Sequence, residues 1–522
     1  MIQSGLCRRA NLSRLIKLEV LLAFLAAIVP TAIPARAQGA DNRYKKELEP
    51  LLAKLIQRQQ IPGLAIAIVE NNRVVYEKGF GWESLERRKE PVTALTVFHM
   101  ASITKPFVAT AILQLVEQNK VDLEAPIVKY LPYFRLADER YKIITVRQMV
   151  THTSGMPDVT DYEWNRPQFD DGALERYVRS LSDLHLLFEP GARFAYSNIA
   201  YEVLGDVISK ASGENFDDYV QHHILTPLGM KNSTLLYRDV DPRLMSDGHV
   251  LDSRGNPEVS RVYPYNRTHS PSSDLHSNAV DMTRWTMANM NHGELDGKRI
   301  LQASTYELMW KPAEGIGEAA AGTYVTSEGM SWFLGTYRGN ALVTHSGGDT
   351  GFITDLAMLP DRKIAVVWMA NCDWIDAGPI NGPITYAALD VALGRRPEPI
   401  ALKRSLARTL YFTFQQDGID AALREYQMLL KQHSDLYDFG EKQLDELGGR
   451  LLGEGHPKEA VQIFQLNVAA YPSSAKGYDR LAGAYLDDGK KSLAITNYEK
   501  ALELDPRLVH SVQALKKLKE EE

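Results

Sequence analysis

Residues 102–118 read Ser-Ile-Thr-Lys-Pro-Phe-Val-Ala-Thr-Ala-Ile-Leu-Gln-Leu-Val-Glu-Gln, and this stretch decides how the rest of the chain is interpreted. Its apolar positions, among them Ile112 and Val116, recur with helical spacing and predict one helix over the whole stretch. Pro106 fits the first helical turn, where the backbone N–H has no intrahelical partner. Ser102 is therefore expected at the helix N-terminus, where free N–H groups and the helix dipole favour a developing negative charge.

The stretch begins with an S-x-x-K pattern formed by Ser102 and Lys105. Because residues three apart share one face of a helix, the Lys105 Nζ can reach the Ser102 Oγ. Serine is a poor nucleophile unless a neighbouring base takes its proton, and an amine can do so only when its pKa is lowered. The pattern is weak by itself, since Ser473-Ser474-Ala475-Lys476 repeats it where a polar turn between helices is expected.

Two motifs farther along the chain make the S-x-x-K pattern more specific. Tyr196-Ser197-Asn198 follows the turn at Pro190-Gly191, and His345-Ser346-Gly347 is placed on a predicted strand. Serine with lysine, then Tyr-x-Asn, then a cation or histidine before a small residue and glycine, resembles the serine β-lactamase and penicillin-binding-protein superfamily. The sequence is thus identified as a member of a superfamily of acyl-transfer enzymes.

The Tyr-x-Asn form is similar to one branch of that superfamily. This branch contains class C β-lactamases, D-alanyl-D-alanine carboxypeptidases, D-aminopeptidases and related esterases. The stretches at 149–158, 188–198 and 345–352 resemble the same branch, and the resemblance covers roughly residues 45–395. It implies a β-lactamase-like fold, with an antiparallel sheet flanked by helices and a helical subdomain.

The resemblance implies a chemical role for each catalytic residue. Ser102 attacks the carbonyl carbon and becomes the acyl-enzyme, while Lys105 takes or shares its proton. Tyr196 relays a proton to the leaving group and helps to activate the deacylating water. The backbone N–H groups of Ser102 and Gly348 form the oxyanion hole, which is commonly worth ~10²–10³ in rate for each donor.

The resemblance also implies a set of substrate-binding residues. Asn198 would hydrogen-bond the substrate amide, and Ser346 and Gly347 would line the site beside it. His345, where β-lactamases usually have lysine, would support the Tyr196 proton network and the anionic end of the substrate. Plainer interpretations stay open: a half-buried core tyrosine, a structural histidine at a strand end, and a helix cap at Asn198.

Several residues depart from the pattern of the branch or leave their role open. His345 counts against an efficient β-lactamase and is more typical of peptidase and esterase members. Ser273-Asp274 stands where many relatives have small glycine-rich residues, in a stretch expected to border the cleft. Phe333 and Phe352 line the pocket or belong to the core. His152, in His-Thr-Ser-Gly, is interpreted as structural.

Predicted strands at both ends of the enzyme region determine the expected fold class. The region between them is mainly helical, so the pattern predicts one α/β (α+β) domain whose sheet is completed by its two termini. The predicted strands cover residues 63–69, 74–80, 341–344, 356–359 and 364–370, with turns at 71–72 and 361–362.

The first 37 residues have the order of a secretory signal peptide. A basic head precedes the apolar run 20–29, and the triplet Ala35-Arg36-Ala37 matches a cleavage site. The expected mature protein is periplasmic or secreted, with no membrane span once the signal is removed, because no later segment offers ~20 consecutive apolar residues. An uncleaved membrane anchor is the alternative. The hydrolase domain is expected over 38–398.

A polar linker with two prolines, 394–399, is followed by an all-α region expected over 404–522. This region resembles the tetratricopeptide repeat, and the alternative is an ordinary helical cap on the enzyme. We expect the repeats to dock on the hydrolase domain, to dimerise or to bind a protein partner. The positions that recur after 34 residues are Gly455, Ala460, Phe464 and Pro472, which match Gly489, Ala494, Tyr498 and Pro506.

Composition excludes some classes of function and leaves three hypotheses. A net charge of -7 argues against a nucleic-acid partner, and no metal or other cofactor is expected because no H-E-x-x-H spacing occurs. The favoured hypothesis is a serine hydrolase that cleaves an amide or ester in a small molecule or peptide. The alternatives are a true class C-like β-lactamase and a degenerate hydrolase that binds a partner through its repeats.

Overall fold

The computed structural model describes residues 42–87, 90–159, 161–252, 255–315, 324–375, 382–399 and 403–520. The predicted signal segment lies outside these ranges. Across the described part of the chain, every helix is too short or too polar to traverse a bilayer.

The strands form one large sheet and several two-stranded ribbons. In chain order they are β1 (Gly63–Glu70), β2 (Arg73–Gly81), β3 (Phe98–His99), β4 (His249–Leu251), β5 (Pro257–Val259), β6 (His276–Ser277), β7 (Glu294–Leu295), β8 (Lys298–Arg299), β9 (Glu314–Gly315), β10 (Val325–Glu328), β11 (Phe333–Tyr337), β12 (Asn340–Asp349), β13 (Phe352–Leu359), β14 (Ile364–Ala370), β15 (Arg404–Ser405) and β16 (Tyr437–Asp438).

The helices cover both faces of the large sheet and then continue as a helical C-terminal region. In chain order they are α1 (Glu49–Gln59), α2 (Lys105–Glu117), α3 (Val146–Val150), α4 (Ala173–Ser180), α5 (Asn198–Ser212), α6 (Phe216–Val220), α7 (Ser270–Ser273), α8 (Ala279–Met290), α9 (Ala303–Met309), α10 (Pro383–Ala392), α11 (Leu406–Asp417), α12 (Ile419–Gln432), α13 (Glu441–Gly453), α14 (Pro457–Ala470), α15 (Ala475–Asp487), α16 (Lys491–Leu504) and α17 (Val509–Glu520).

The large sheet has eight strands in the order β2-β1-β14-β13-β12-β11-β10-β9, and neighbouring strands are antiparallel. Strand β1 pairs with β14, so the two ends of the domain meet inside one sheet. The α/β (α+β) class and the antiparallel sheet flanked by helices are confirmed. Strands β12 and β13 extend beyond the predicted 341–344 and 356–359, and β14 covers the predicted residues.

The unbroken apolar run of β1 follows from burial on both faces of the sheet. Its even-numbered residues from Leu64 to Ile68 belong to a core that includes residues of α1 and α10. Its odd-numbered residues from Ala65 to Val69 belong to a second core that includes residues of α2, α5 and α8. The second core holds helix α2 against the sheet, so the sheet fixes where that helix begins.

The C-terminal region is built from paired helices, with one pair formed by α13 and α14 and the next by α15 and α16. Ala460 and its counterpart Ala494 are fully buried, and so is Phe464 where the counterpart is Tyr498. A Cβ on Gly448 would lie 2.6 Å from the Phe464 ring, so the two helices of a pair approach closely there. The tetratricopeptide assignment itself stays a prediction.

Polar contacts join the helical region to the hydrolase domain. Arg408 on α11 donates to the Asp373 Oδ2 at 2.7 Å, and it also donates to the Asp373 carbonyl. Arg404 forms a β-bridge with Ile375, which lies five residues after the last strand of the large sheet in the chain. The first helix of the C-terminal region is therefore attached beside the sheet.

Candidate active site

The predicted nucleophile lies in a short turn in front of helix α2. Residues Ala101–Thr104 form a 3-10 turn, and the α-helix begins at Lys105, three residues later than predicted. The Met100 carbonyl accepts a hydrogen bond of 2.9 Å from the Thr354 Oγ1 on β13. Ser102 is partly exposed on this turn, so the sheet holds it while its hydroxyl stays accessible.

Lys105 is fully buried and its ammonium has three hydrogen-bond acceptors. Its Nζ lies 3.0 Å from the Ser102 Oγ, 2.6 Å from the Asn198 Oδ1 and 2.9 Å from the Ser272 carbonyl oxygen. Burial lowers the pKa of Lys105 to about 8, although nearby carboxylates, first among them Glu202, act in the opposite direction. Roughly one molecule in ten would then carry a neutral amine at pH 7, able to accept a proton.

Tyr196 meets the same hydroxyl from the other side. Burial is the larger effect on its phenol and raises the pKa of Tyr196 well above 10, while the neighbouring Ser102 hydroxyl acts to lower this pKa. The Lys105 Nζ lies 5.0 Å from the centre of the Tyr196 ring. Tyr196 is therefore a neutral phenol at ordinary pH, and in this state it can donate a proton but cannot accept one as a phenolate.

His152 supports Tyr196 from behind. The two rings stack with centroids 4.2 Å apart, and the His152 Nδ1 accepts a hydrogen bond of 3.0 Å from the Ser197 backbone N–H. The His152 carbonyl accepts a second bond from the Ala195 N–H at 2.8 Å. Burial lowers the pKa of His152 well below 6.5, so the ring is neutral. These are the contacts of a positioning residue, in line with the structural interpretation.

Asn198 is the first residue of α5 and orients Lys105. Its Oδ1 accepts from Lys105, while its Nδ2 and its backbone N–H donate to the Asp158 Oδ1 at 2.9 and 2.8 Å. The helix-cap alternative for Asn198 is wrong by one residue, because the Ser197 Oγ accepts the capping bond from the Ala200 N–H. The expected bond to a substrate amide stays a proposal.

Strand β12 brings the predicted oxyanion-hole segment against the nucleophile. A Cβ on Gly347 would lie 2.4 Å from the Met100 carbonyl oxygen and 3.0 Å from the Ser102 nitrogen. A Cβ on Gly348, in contrast, would meet nothing within 4 Å. Gly347 therefore permits close contact with the Ser102 turn, and Gly348 borders open space. Ser346, beside them, is half-buried.

His345, which replaces the lysine usual in β-lactamases, is a buried ring on β12. Its Nδ1 donates to the Ser346 carbonyl oxygen at 2.7 Å, and burial lowers the pKa of His345 to about 3. The ring is neutral, because the Lys105 ammonium also disfavours its protonation. A neutral His345 ring therefore does not attract the anionic end of a substrate by charge. Hydrogen bonding from a neutral ring remains open to it.

The sequence did not predict the third hydrogen-bond acceptor of the Lys105 ammonium or the residues that support it. The Ser272 carbonyl accepts from Lys105, and the Ser272 Oγ donates to the buried Glu202 at 2.7 Å, which also contacts His269 at 3.1 Å. A backbone acceptor carries no residue signature, and only the unusual Ser273-Asp274 pair marked this segment.

Burial bears on the remaining expectations about the cleft. The stretch that contains Ser273 and Asp274 touches the site through the Ser272 carbonyl, which accepts from Lys105. The Ser273 and Asp274 side chains are buried, and burial raises the pKa of Asp274 well above 3.8. Phe333 and Phe352 belong to the two cores, which settles their open role in favour of the core. Within the described ranges, no three His, Cys, Asp or Glu side chains are grouped so as to hold a metal ion.

Comparison with known proteins places this chain in a family. The sequence model of the Beta-lactamase family matches residues 48–375. The chain is 27% identical over 334 residues to Protein flp of Staphylococcus aureus, a match that covers 63% of this chain and 64% of that protein. It is 25% identical over 320 residues to penicillin-binding protein 4 of Amycolatopsis lactamdurans, covering 60% and 81%.

A solved structure shares the fold. The octameric penicillin-binding protein homologue from Pyrococcus abyssi aligns with a TM-score of 0.59 at 26% identity, covering 70% of this chain and 81% of that one. A serine with a lysine on the next helical turn, a tyrosine from a distant segment, and a glycine strand beside them are all present in one cleft. The chain belongs to the Beta-lactamase family, within the serine β-lactamase and penicillin-binding-protein superfamily.

Proposed function

We propose that this protein is a serine hydrolase that cleaves an amide or ester bond through an acyl-enzyme on Ser102, and that its activity is of the carboxypeptidase or esterase type. One observation carries the proposal: the Ser102 hydroxyl is hydrogen-bonded to the Lys105 amine at 3.0 Å and neighbours the Tyr196 phenol. A hydroxyl that contacts both a base and a proton donor is the arrangement that nucleophilic catalysis requires.

The acylation step uses the neutral form of Lys105. Its Nζ takes the Ser102 proton while the Oγ bonds to the substrate carbonyl carbon, and the carbonyl π electrons move to the oxygen. The N–H groups of Ser102 and Gly348 stabilise this oxyanion. Asn198 and the Ser272 carbonyl hold the ammonium that forms, so the amine does not need to move during the reaction.

Tyr196 completes the turnover. Its phenol donates a proton to the leaving nitrogen or oxygen as the tetrahedral intermediate collapses, and the proton that Lys105 took from Ser102 then passes to the phenol oxygen. Deacylation is the reverse sequence with water as nucleophile. Because the pKa of Tyr196 is raised, the phenol passes protons on, and Lys105 is the group that stores them.

The neutral His345 favours the peptidase and esterase type over a true β-lactamase. A β-lactam drug carries a carboxylate that a lysine usually contacts at this strand position in β-lactamases, and a neutral buried imidazole supplies no such charge. The intact Ser102, Lys105 and Tyr196 likewise speak against a degenerate hydrolase. The similarity to penicillin-binding protein 4 supports trying penicillin-type probes.

A fluorophosphonate probe tests the nucleophile. We expect labelling of the wild-type chain and complete loss of labelling in Ser102→Ala. The matched control is Ser473→Ala, which removes the exposed serine of the second S-x-x-K sequence and should leave labelling unchanged. Absence of labelling in the folded wild type, or labelling that survives in Ser102→Ala, would refute the proposal.

A substrate panel tests the type of activity. D-alanyl-D-alanine peptides, D-amino-acid amides and small esters are to be compared with nitrocefin by kcat/KM on the same preparation. We expect at least one peptide or ester to be turned over faster than nitrocefin. Faster turnover of nitrocefin than of every peptide and ester would instead identify a true β-lactamase.

Export and partner binding are part of the same proposal. The segment 1–37 supports a periplasmic or secreted protein, and the helical repeats support a protein partner or docking within the chain. Expression of the full chain in a bacterium with two membranes, followed by fractionation and N-terminal sequencing, should give a periplasmic protein that begins at Gln38. A cytoplasmic protein that retains its first residues would contradict export.

A further inference from the structure

We propose that a pocket beside the Ser102 cleft binds an aromatic ring that carries a carboxylate, and that Arg261 pairs with this carboxylate. The substrate class is then an amide or ester whose acyl group contains such an ion-bearing ring. The inference rests on the proposed function for its link to catalysis. The pocket has a volume of about 390 Å³ and is lined mainly by aromatic residues, with Arg261 as its cation.

The first side of the pocket is continuous with the oxyanion strand. Tyr263 lines the pocket, and its ring lies 5.6 Å from the Phe352 ring and 6.2 Å from the His99 ring. His99 in turn contacts the Asp349 Oδ2 at 2.8 Å. Because Asp349 directly follows Gly348, one aromatic layer separates the pocket from the proposed oxyanion hole.

The second side of the pocket is continuous with the turn that holds Lys105. Trp164 lines the pocket and stacks on Tyr162 with centroids 4.6 Å apart. Tyr162 packs edge-on against His269 at 5.0 Å, and His269 lies one turn before Ser272, the carbonyl of which accepts from Lys105. Tyr162 and His269 therefore lie between the pocket and the turn that holds Lys105.

The walls of the pocket are suited to a flat apolar group. Five of the lining residues are aromatic, and Phe169 keeps 54% of its surface exposed, which is unusual for such a large apolar side chain. Aromatic walls favour stacked or edge-on rings, and the volume lies in the range of pockets that bind small ligands. The aromatic residues that line it are Trp164, Phe169, Tyr237, Tyr263 and Tyr265.

Arg261 supplies the charge that selects the carboxylate. The side chain is exposed, no acidic residue lines the pocket, and among the described residues no ion pair engages Arg261. A guanidinium at the rim of an apolar pocket favours a ligand that is apolar inside and anionic at its edge, since its fork matches a carboxylate. The neutral His345 leaves the anionic end of a substrate without a cation there, and Arg261 provides one in the neighbouring pocket.

Thioesters of one small aliphatic thiol test the acyl group without an aromatic leaving group. Acetyl, phenylacetyl and 4-carboxyphenylacetyl thioesters are to be compared by kcat/KM. We expect the rate to rise about tenfold from phenylacetyl to 4-carboxyphenylacetyl, the usual size of a charge-assisted hydrogen bond. Equal kcat/KM for the phenylacetyl and 4-carboxyphenylacetyl thioesters would overturn the inference.

Two variants distinguish the contribution of the Arg261 charge from that of the aromatic walls. Arg261→Gln should abolish the preference for the carboxylated ring and leave acetyl turnover within about twofold. Phe169→Ala should lower turnover of both aromatic thioesters and spare the acetyl thioester. The matched control is Arg238→Gln, an exposed arginine beside Tyr237 that does not line the pocket, and it should keep the wild-type order. An equal loss for all three thioesters in Arg261→Gln would contradict the charge pairing.

Direct binding keeps this inference separable from the proposed function. Free 4-carboxyphenylacetate is to be titrated calorimetrically into Ser102→Ala and into Ser102→Ala with Arg261→Gln. Binding that weakens at least about tenfold in the double variant supports the pocket, even if no hydrolysis is found. The opposite result is equal binding of 4-carboxyphenylacetate by Ser102→Ala and by the double variant. If the wild type is nevertheless labelled by fluorophosphonate, this result would refute the pocket and leave the proposed function standing.

Discussion

Lys105 determines the pH dependence expected of acylation. Burial lowers its pKa to about 8, and only the neutral amine accepts the Ser102 proton. The rate must therefore rise as pH increases toward 8 and level off above it. Measured kcat/KM for a neutral ester between pH 5.5 and 9.5 should show this single ascending limb. A limb with a midpoint near 6.5 would indicate a histidine base instead.

Tyr196→Phe isolates the phenol from the ring that carries it. The variant keeps the stack on His152 but loses the hydroxyl that contacts Ser102. We expect kcat/KM to fall ~10²–10⁴-fold, the usual contribution of a positioned proton donor, with an unchanged melting temperature. A thermal scan is the control for folding. Retention of more than about a tenth of the wild-type activity would exclude Tyr196 as the proton relay.

The sequence was sufficient to predict those site residues that act through their side chains and lie within a motif. Ser102, Lys105, Tyr196 and Asn198 could be predicted because each lies in a recognisable sequence motif, and the structure brings all four together. The third acceptor of Lys105, the Ser272 carbonyl, has no side-chain signature and needed the tertiary structure. The neutrality of His345 was likewise hidden, since it results from burial that no local pattern reports.

At the scale of elements, the contact between β12 and the Ser102 turn is the most constrained part of the site. Gly347→Ala would place a methyl group 2.4 Å from the Met100 carbonyl, so strand and turn would have to separate. We expect kcat/KM to fall at least ~10²-fold, because about 1 Å of displacement can have this effect on catalysis.

The control for this variant is Gly449→Ala, where a Cβ meets nothing within 4 Å. It should retain full activity, since it lies on α13 in the C-terminal region. Circular dichroism of both variants monitors folding. Full activity of Gly347→Ala would show that the turn can move away from β12 without harm to the nucleophile.

Elements that are buried on both faces were the easiest to predict. The apolar run of β14 matched the observed strand residue for residue, because every position is buried between the two cores. Strands β10 and β11 escaped prediction because they are short, lie toward one edge of the sheet and include Thr, Ser or Gly. Strand pairing there depends on the neighbour β12 rather than on local propensity.

For the whole molecule, the C-terminal helices and the active-site hairpin share one buried carboxylate. The Asp373 Oδ2 accepts from Arg408 at 2.7 Å and from the Gly351 backbone N–H at 3.0 Å. Gly351 lies in the turn between β12 and β13, two residues beyond the end of the oxyanion strand. The attachment of the helical region is therefore also a support of the catalytic hairpin.

Arg408→Gln tests whether that support reaches the chemistry. Asp373 would lose its cation while still buried, so its bond to Gly351 would weaken and the hairpin turn would loosen. Because Arg408 is one-third exposed, the expected cost is about 1 kcal/mol, and kcat/KM should fall about threefold to tenfold. Proteolysis between the two regions should also become faster, as followed by gel electrophoresis. Arg424→Gln, an exposed arginine on the next helix, should change neither property. Faster proteolysis with wild-type kcat/KM would mean that the attachment stabilises the chain without shaping the site.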